Sequence, residues 1–225
     1  TVALVDLEAQ DVDEYYNGYA NKTLWPLFHH RVDLTAYERS YGEGYERTNA
    51  RFAEVLAPLI QPDDIIWIHD YHMIPMARDL RRLGVRNRIG FFLHTPWPVR
   101  QLLVTLPHHR RLVEAMFDYD LIGFQTREWL DLFRDYVASE PSVNGRLLPN
   151  DALEAFGKTV QCIERAWVAL HQHHGLGAAR GGFEAQDPGA GKEIEAVLAV
   201  QILAQPVEQG FAHPIRRRSQ AGNAG

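Results

Sequence analysis

Apolar positions in the early part of the chain follow two rhythms. Tyr45, Asn49, Phe52, Leu56 and Leu59 recur at helical spacing and predict a helix over roughly Gly44–Ile60. Pro62-Asp63-Asp64 ends that pattern. Ile65-Ile66-Trp67-Ile68 then forms a short apolar run rich in β-branched residues, which reads as a strand. In the next stretch Ile74, Ala77 and Leu80 share one helical face and Arg78, Arg81 and Arg82 the other, with Gly84 as the stop. Ile89–Leu93 reads as a second strand, and Val99–Phe117 as a helical stretch interrupted at Pro107. Leu121–Phe124 reads as a third strand, followed by a helix over Arg127–Val137. Strands that are apolar throughout, separated by helices, predict an α/β fold: a Rossmann-like parallel sheet with helices on both faces.

The character of the chain changes near residue 157. Of 17 glycines, 10 fall in residues 157–225, although that part is less than half as long as what precedes it. A segment such as Gly175–Gly182 cannot bury enough apolar surface to offset its ordering entropy. A domain over 1–160 and an irregular tail over 161–225 are expected, with a short helical pattern around Glu193–Ala204. The net charge of -6 argues against a general nucleic-acid binder. No apolar run approaches the ~18–20 residues of a membrane span. No signal peptide is visible, and Cys162, as the single cysteine, fits a reducing, cytoplasmic setting. Asn21-Lys22-Thr23 matches a glycosylation sequon, read as chance without a secretory signal. The chain opens on Thr1, so it is expected to be incomplete at its start.

Ligands of a parallel α/β sheet bind beyond the carboxyl ends of its strands. Polar residues stand at all three ends here: His69-Asp70-Tyr71-His72, His94-Thr95-Pro96-Trp97-Pro98 and Gln125-Thr126. Taken singly, each has a structural reading; Gln125 or Thr126 can cap the next helix and His94 can be a core histidine. Together they suggest polyol recognition, with Asp70 accepting hydroxyl hydrogen bonds and neutral His94 donating or accepting one. Pro96 and Pro98 would stiffen the loop around Trp97. A rival reading makes His69, Asp70, His72 and His94 the metal site of a hydrolase. Strand alternation opposes it, because His69 would face away from Asp70. His171-Gln172-His173-His174 reads as a solvated polar run. The aromatic block Tyr15–Asn21 and Leu24–His29 fits either core packing or a sugar-phosphate platform.

Four ordered blocks resemble those of the trehalose-6-phosphate synthases. They are Tyr15-Tyr16-Asn17…Asn21…Leu24-Trp25-Pro26…Phe28-His29, Trp67–His72, Asn87–His94 and Tyr119-Asp120…Gly123–Thr126. The resemblance covers about Ala9–Tyr136 and continues more weakly over Val143–Val160. It implies one domain of a GT-B fold and retaining transfer of glucose from UDP-glucose to glucose 6-phosphate, without metal or cofactor. It further implies that Tyr16 and Trp25 contact the acceptor phosphate, that Asp70 binds acceptor hydroxyls, and that His94 bonds the donor glucose. Asp70 and His94 are thus the expected catalytic pair, and a homo-oligomer is the expected state of full-length members. Thr95 and His30 depart from the usual residues, and similarity stops at Cys162, as a change of reading frame near Gln161 would produce. The chain is therefore expected to be an inactive, incomplete acceptor-side domain. The alternatives are a non-catalytic sugar-phosphate-binding or regulatory module and the metal-dependent hydrolase using His69, Asp70 and His94.

Overall fold

A computed structural model describes residues 4–164 and the strand at 197–200. The chain begins with α1 (Ala9–Asp11), which runs into a π-helical segment, Val12–Leu24, and then α2 (Trp25–Phe28). The long helix α3 (Arg39–Leu56) follows, starting earlier than its apolar periodicity indicated. Then come β1 (Ile65–His69), α4 (Met76–Arg82) and β2 (Ile89–Leu93). After α5 (Arg100–Leu103) and α6 (His109–Met116) lie β3 (Leu121–Phe124) and α7 (Arg127–Ser139). The series closes with β4 (Arg146–Leu147), β5 (Ala152–Ala155), β6 (Lys158–Glu164) and β7 (Val197–Val200). Gly84 does stop α4: it takes φ +90°, and the Val85 N–H returns to the Leu80 carbonyl.

The strands form one sheet in the order β4-β5-β6-β3-β2-β1-β7. As expected, β1, β2 and β3 are adjacent and parallel, with His69 opposite Phe92 and Leu93 opposite Phe124. Beyond this parallel part β4, β5 and β6 pair antiparallel with one another, so the sheet as a whole is mixed, with helices on both faces. The physical cause is a two-residue turn between β5 and β6. Phe156 (φ 55°) and Gly157 (φ 72°) both take positive φ, the geometry of a tight hairpin whose twist matches its strands. Phe156 does not look like a turn residue in sequence. Its ring is held against Phe117 (centroids 5.4 Å apart) and under the Arg110 guanidinium (5.0 Å).

One expectation needs correction, the helical pattern around Glu193–Ala204. Over Val197–Val200 the backbone is extended and pairs in parallel with β1. An open edge of β1 offers unpaired backbone groups, and satisfying them outweighs a weak local helical preference. β6 crosses position 160 and continues to Glu164. The rest of the expected irregular tail, 165–196 and 201–225, and the run His171–His174 lie outside the described residues.

The apolar side chains of the sheet sort by parity. Ile66, Ile68, Phe91, Leu93, Ile122 and Phe124 join the main core. Trp67, Phe92 and Leu121, with Ile163, form a separate small cluster. Every residue of β2 and β3 is buried, as continuous apolar strands require. Gly90 serves this packing directly, since a Cβ there would stand 2.0 Å from the Trp67 ring.

Candidate functional site

The site is built where β1 ends. His69 is the last strand residue, and the Asp70 N–H still donates to the Phe92 carbonyl (2.8 Å). At Asp70 the chain breaks out of the pleat with φ 71° and ψ 163°. That region is nearly reserved for glycine, costs a side chain about 1–3 kcal/mol, and persists only where the surroundings over-determine it. They do so here, because three successive carbonyls after Asp70 are each captured by a side chain. Tyr45 Oη donates to the Tyr71 carbonyl at 2.5 Å, Asn49 Nδ2 to His72 at 3.1 Å, and Tyr119 Oη to Met73 at 2.9 Å. Tyr45 and Asn49 lie on the buried face of α3, and Tyr119 stands just before β3.

The result is a carboxylate presented at the carboxyl edge of the sheet. Asp70 Oδ1 accepts the Tyr71 N–H (3.0 Å). Burial pushes its carboxyl above the usual carboxylate range; the N–H groups of Tyr71 and His94 and the nearby His94 and His29 rings work the other way. His94 closes the opposite side, at the end of β2. Its Nε2 lies 2.9 Å from His69 Nδ1, and the two rings stack with centroids 5.2 Å apart.

The aromatic block of the N-terminal helical segment comes to the same edge. Tyr71 Oη donates to Asn21 Oδ1 (3.1 Å), tying the π-helical segment to the Asp70 turn. Tyr16 stacks on His72 (5.6 Å between centroids), and Trp25 lies against His29 (3.9 Å) and Tyr71 (5.9 Å). Tyr15, Leu24, Leu27 and Phe28 are core, whereas Trp25 is 46% exposed. Core packing thus accounts for those four residues, while the Trp25 ring stays open at this edge. A π-helical stretch is uncommon and tends to mark functional positions.

Other strand-end residues have structural roles. Thr126 caps α7 by accepting the Trp129 N–H (3.2 Å), while Gln125 stands half-buried at the same edge as Asp70 and His94. Trp97 is fully buried against Phe28, Phe124 and Phe133, so the Pro96–Pro98 loop is anchored in the core. His72 has its Nε2 buried without a partner among the described residues, and burial lowers its pKa to about 4. The contacts that hold the turn, from Tyr45, Asn49 and Tyr119, carry no sequence signal beyond ordinary core positions. The meeting of His69 and His94 has a sequence signal that the strand-end reading did not use: each lies two residues beyond an aromatic, Trp67 or Phe92, on one face of adjacent strands. Among the described residues no group of three or more His, Cys, Asp or Glu side chains is placed to hold a metal ion.

Residues 1–162 match the description of glycosyltransferase family 20. The chain belongs to that family. It is 48% identical over 158 residues to the trehalose-6-phosphate synthase of Sinorhizobium fredii, covering 70% of this chain and 34% of that protein. To the trehalose-6-phosphate synthase of Klebsiella pneumoniae it is 47% identical over 156 residues, 69% of this chain and 32% of that one. Among solved structures, the UDP-forming α,α-trehalose-phosphate synthase of Burkholderia xenovorans in complex with glucose-6-phosphate superposes with a TM-score of 0.67 at 49% identity. It covers 69% of this chain and 35% of its own. The Escherichia coli protein bound with UDP-2-fluoro glucose gives 0.68 at 45% identity, over 70% and 35%. The 225-residue chain thus spans about a third of the length of these family 20 relatives. No helix among its described residues is long and apolar enough to cross a membrane.

Proposed function

We propose that this family 20 domain forms the acceptor side of a retaining glucosyltransferase site. In the whole reaction glucose passes from UDP-glucose to glucose 6-phosphate, giving α,α-trehalose 6-phosphate. The observation that carries this reading is the strained, desolvated Asp70 carboxylate, standing between His94 and the Tyr16–Trp25 segment. The relatives solved with glucose-6-phosphate and with UDP-2-fluoro glucose support it.

In this reading Asp70 accepts hydrogen bonds from acceptor hydroxyls, which replace water around a carboxylate already poorly hydrated. Tyr16 and the indole N–H of Trp25 donate to the acceptor phosphate, and His94 bonds the donor glucose. The acceptor hydroxyl attacks the donor carbon from the face UDP leaves, and its proton passes to a donor phosphate oxygen. The bond to UDP breaks as the new glycosidic bond forms, so configuration is retained. Asp70 orients and is not the base. No metal or cofactor enters this scheme, and we place the protein in the cytoplasm. The metal-hydrolase alternative is weaker, because His69 and His94 nitrogens bond one another and Asp70 bonds backbone N–H groups.

Calorimetric titration of the 225-residue chain with glucose 6-phosphate tests the assignment. Asp70→Asn keeps the shape and removes charge-assisted acceptance, so affinity should fall about tenfold or more, given about 1.5–3 kcal/mol for such bonds. Unchanged affinity in Asp70→Asn would sink the reading.

A further inference from the structure

We infer that His69 is a positioning residue, whose ring sets both the orientation and the tautomer of His94; this rests on the proposed role of His94 toward a sugar. The contact is a nitrogen-to-nitrogen hydrogen bond, His69 Nδ1 to His94 Nε2 at 2.9 Å. Such a bond contains one proton. If His69 donates it, His94 Nε2 is the acceptor and its proton resides on Nδ1. If His94 donates it, His94 Nδ1 carries no proton while the ring is neutral.

With Nε2 engaged in this way, a ring hydrogen bond from His94 to a sugar hydroxyl is made by Nδ1. Whether Nδ1 gives or takes is therefore decided at the His69 end, 25 residues away in sequence. The pair is also mechanically confined. His69 is 9% exposed, and Trp67 meets it edge-on at 6.2 Å; Phe92 meets His94 edge-on at 4.9 Å. Both aromatics belong to the small cluster on that sheet face, so the imidazoles lie at the end of an apolar wall rather than in open water. A hydrogen bond in such surroundings holds its geometry more firmly than one exposed to solvent. Histidines that must act through one nitrogen are commonly fixed through the other, and His69 supplies that second contact here.

The test is nuclear magnetic resonance on the full 225-residue chain with ¹⁵N-labelled histidine. In the unaltered protein we expect a ¹⁵N–¹⁵N coupling across the bond between His69 Nδ1 and His94 Nε2, and ring shifts of His94 that report one tautomer. His69→Phe keeps the ring volume and removes the nitrogen; the His94 shifts should move to the averaged values of a mixed population. His69→Asn places an amide near the former Nδ1 position and should restore a single tautomer. Absence of the coupling in the unaltered chain overturns the inference without any variant having to fold. Unchanged His94 shifts in folded His69→Phe overturn it too, since a packing role alone would leave them in place. Loss of the functional reading shows separately, as glucose 6-phosphate binding that ignores Asp70→Asn while the histidine coupling is present.

Discussion

Tyr45 Oη donates a 2.5 Å hydrogen bond to the carbonyl of Tyr71, from the middle of α3 to the residue after the candidate carboxylate. Both partners are buried, so neither has water as a substitute. Tyr45→Phe leaves the Tyr71 carbonyl without that donor and should cost about 1–3 kcal/mol. The same change loosens the turn that presents Asp70. Urea unfolding should show the loss of stability, and glucose 6-phosphate titration a weaker affinity than in the unaltered chain. A stability loss with full affinity would mean that Tyr45 only packs.

Asp70 itself offers a test of stored strain. At φ 71° and ψ 163°, Gly costs little and every other residue costs more. Asp70→Gly and Asp70→Ala both remove the carboxylate and its bond to the Tyr71 N–H, and differ in the Cβ. Asp70→Gly should be the more stable of the two by about 1–3 kcal/mol in urea melts, and both should fail to bind glucose 6-phosphate. Equal stabilities would show that the turn relaxes when the carboxylate is lost.

Acid should weaken the fold through His72. Its pKa falls from 6.5 to about 4 because burial disfavours the imidazolium. The unfolded chain then binds a proton that the folded chain refuses. Stability due to the neutral ring is complete above pH 6.5, is lost as pH drops toward about 4, and changes no further below it. The span corresponds to something on the order of 3 kcal/mol. His109 is shifted down by burial and adds with the same sign, while Asp70, shifted up, favours the fold as pH falls. His72→Phe keeps a ring against Tyr16 and should flatten the acid limb of the urea midpoint between these values. An unaltered limb would place the proton uptake elsewhere.

Gly90→Ala tests the wall beneath the two histidines. The added methyl would sit 2.0 Å from the Trp67 ring, a distance no side chain tolerates, so Trp67 or the strand must move. Overpacking of this kind typically costs about 1–3 kcal/mol. Because Trp67 flanks His69, the resonances of His69 should shift together with the indole signals. A variant as stable as the parent would show that Trp67 has an alternative position.

On its own, the 225-residue polypeptide should bind glucose 6-phosphate and form no trehalose 6-phosphate from it and UDP-glucose. Besides burial, the groups acting on the Asp70 carboxyl are the Tyr71 and His94 N–H groups and the His94 and His29 rings. Departure of UDP needs positive charge aimed at the developing anion. Holding both partners in reacting geometry is worth up to about 7–11 kcal/mol, which half a site cannot supply. Chromatographic detection of product from the purified chain would overturn this.

Three of the strands, β1, β2 and β3, were legible because a parallel sheet buries both faces of each strand. Ile65–Ile68, Ile89–Leu93 and Leu121–Phe124 therefore announce themselves as apolar runs, and the polar residues that end them mark one edge. That local signal also located Asp70 and His94. The Phe156-Gly157 hairpin was not legible, since a phenylalanine takes positive φ only where Phe117 and Arg110 hold its ring. Nor was the strand at Val197–Val200, whose conformation depends on the open edge of β1 rather than on its own residues. The conformation of Asp70 belongs to the same class. Nothing around position 70 in the chain demands φ 71°; Tyr45, Asn49 and Tyr119, up to 49 positions away, impose it through the three carbonyls that follow. Periodicity records how each segment meets the core, and so the sequence determined the elements and the edge they share. Hydrogen bonds between distant side chains and backbone leave no periodic trace, and the tertiary structure alone decided how the carboxylate and the two histidines are held.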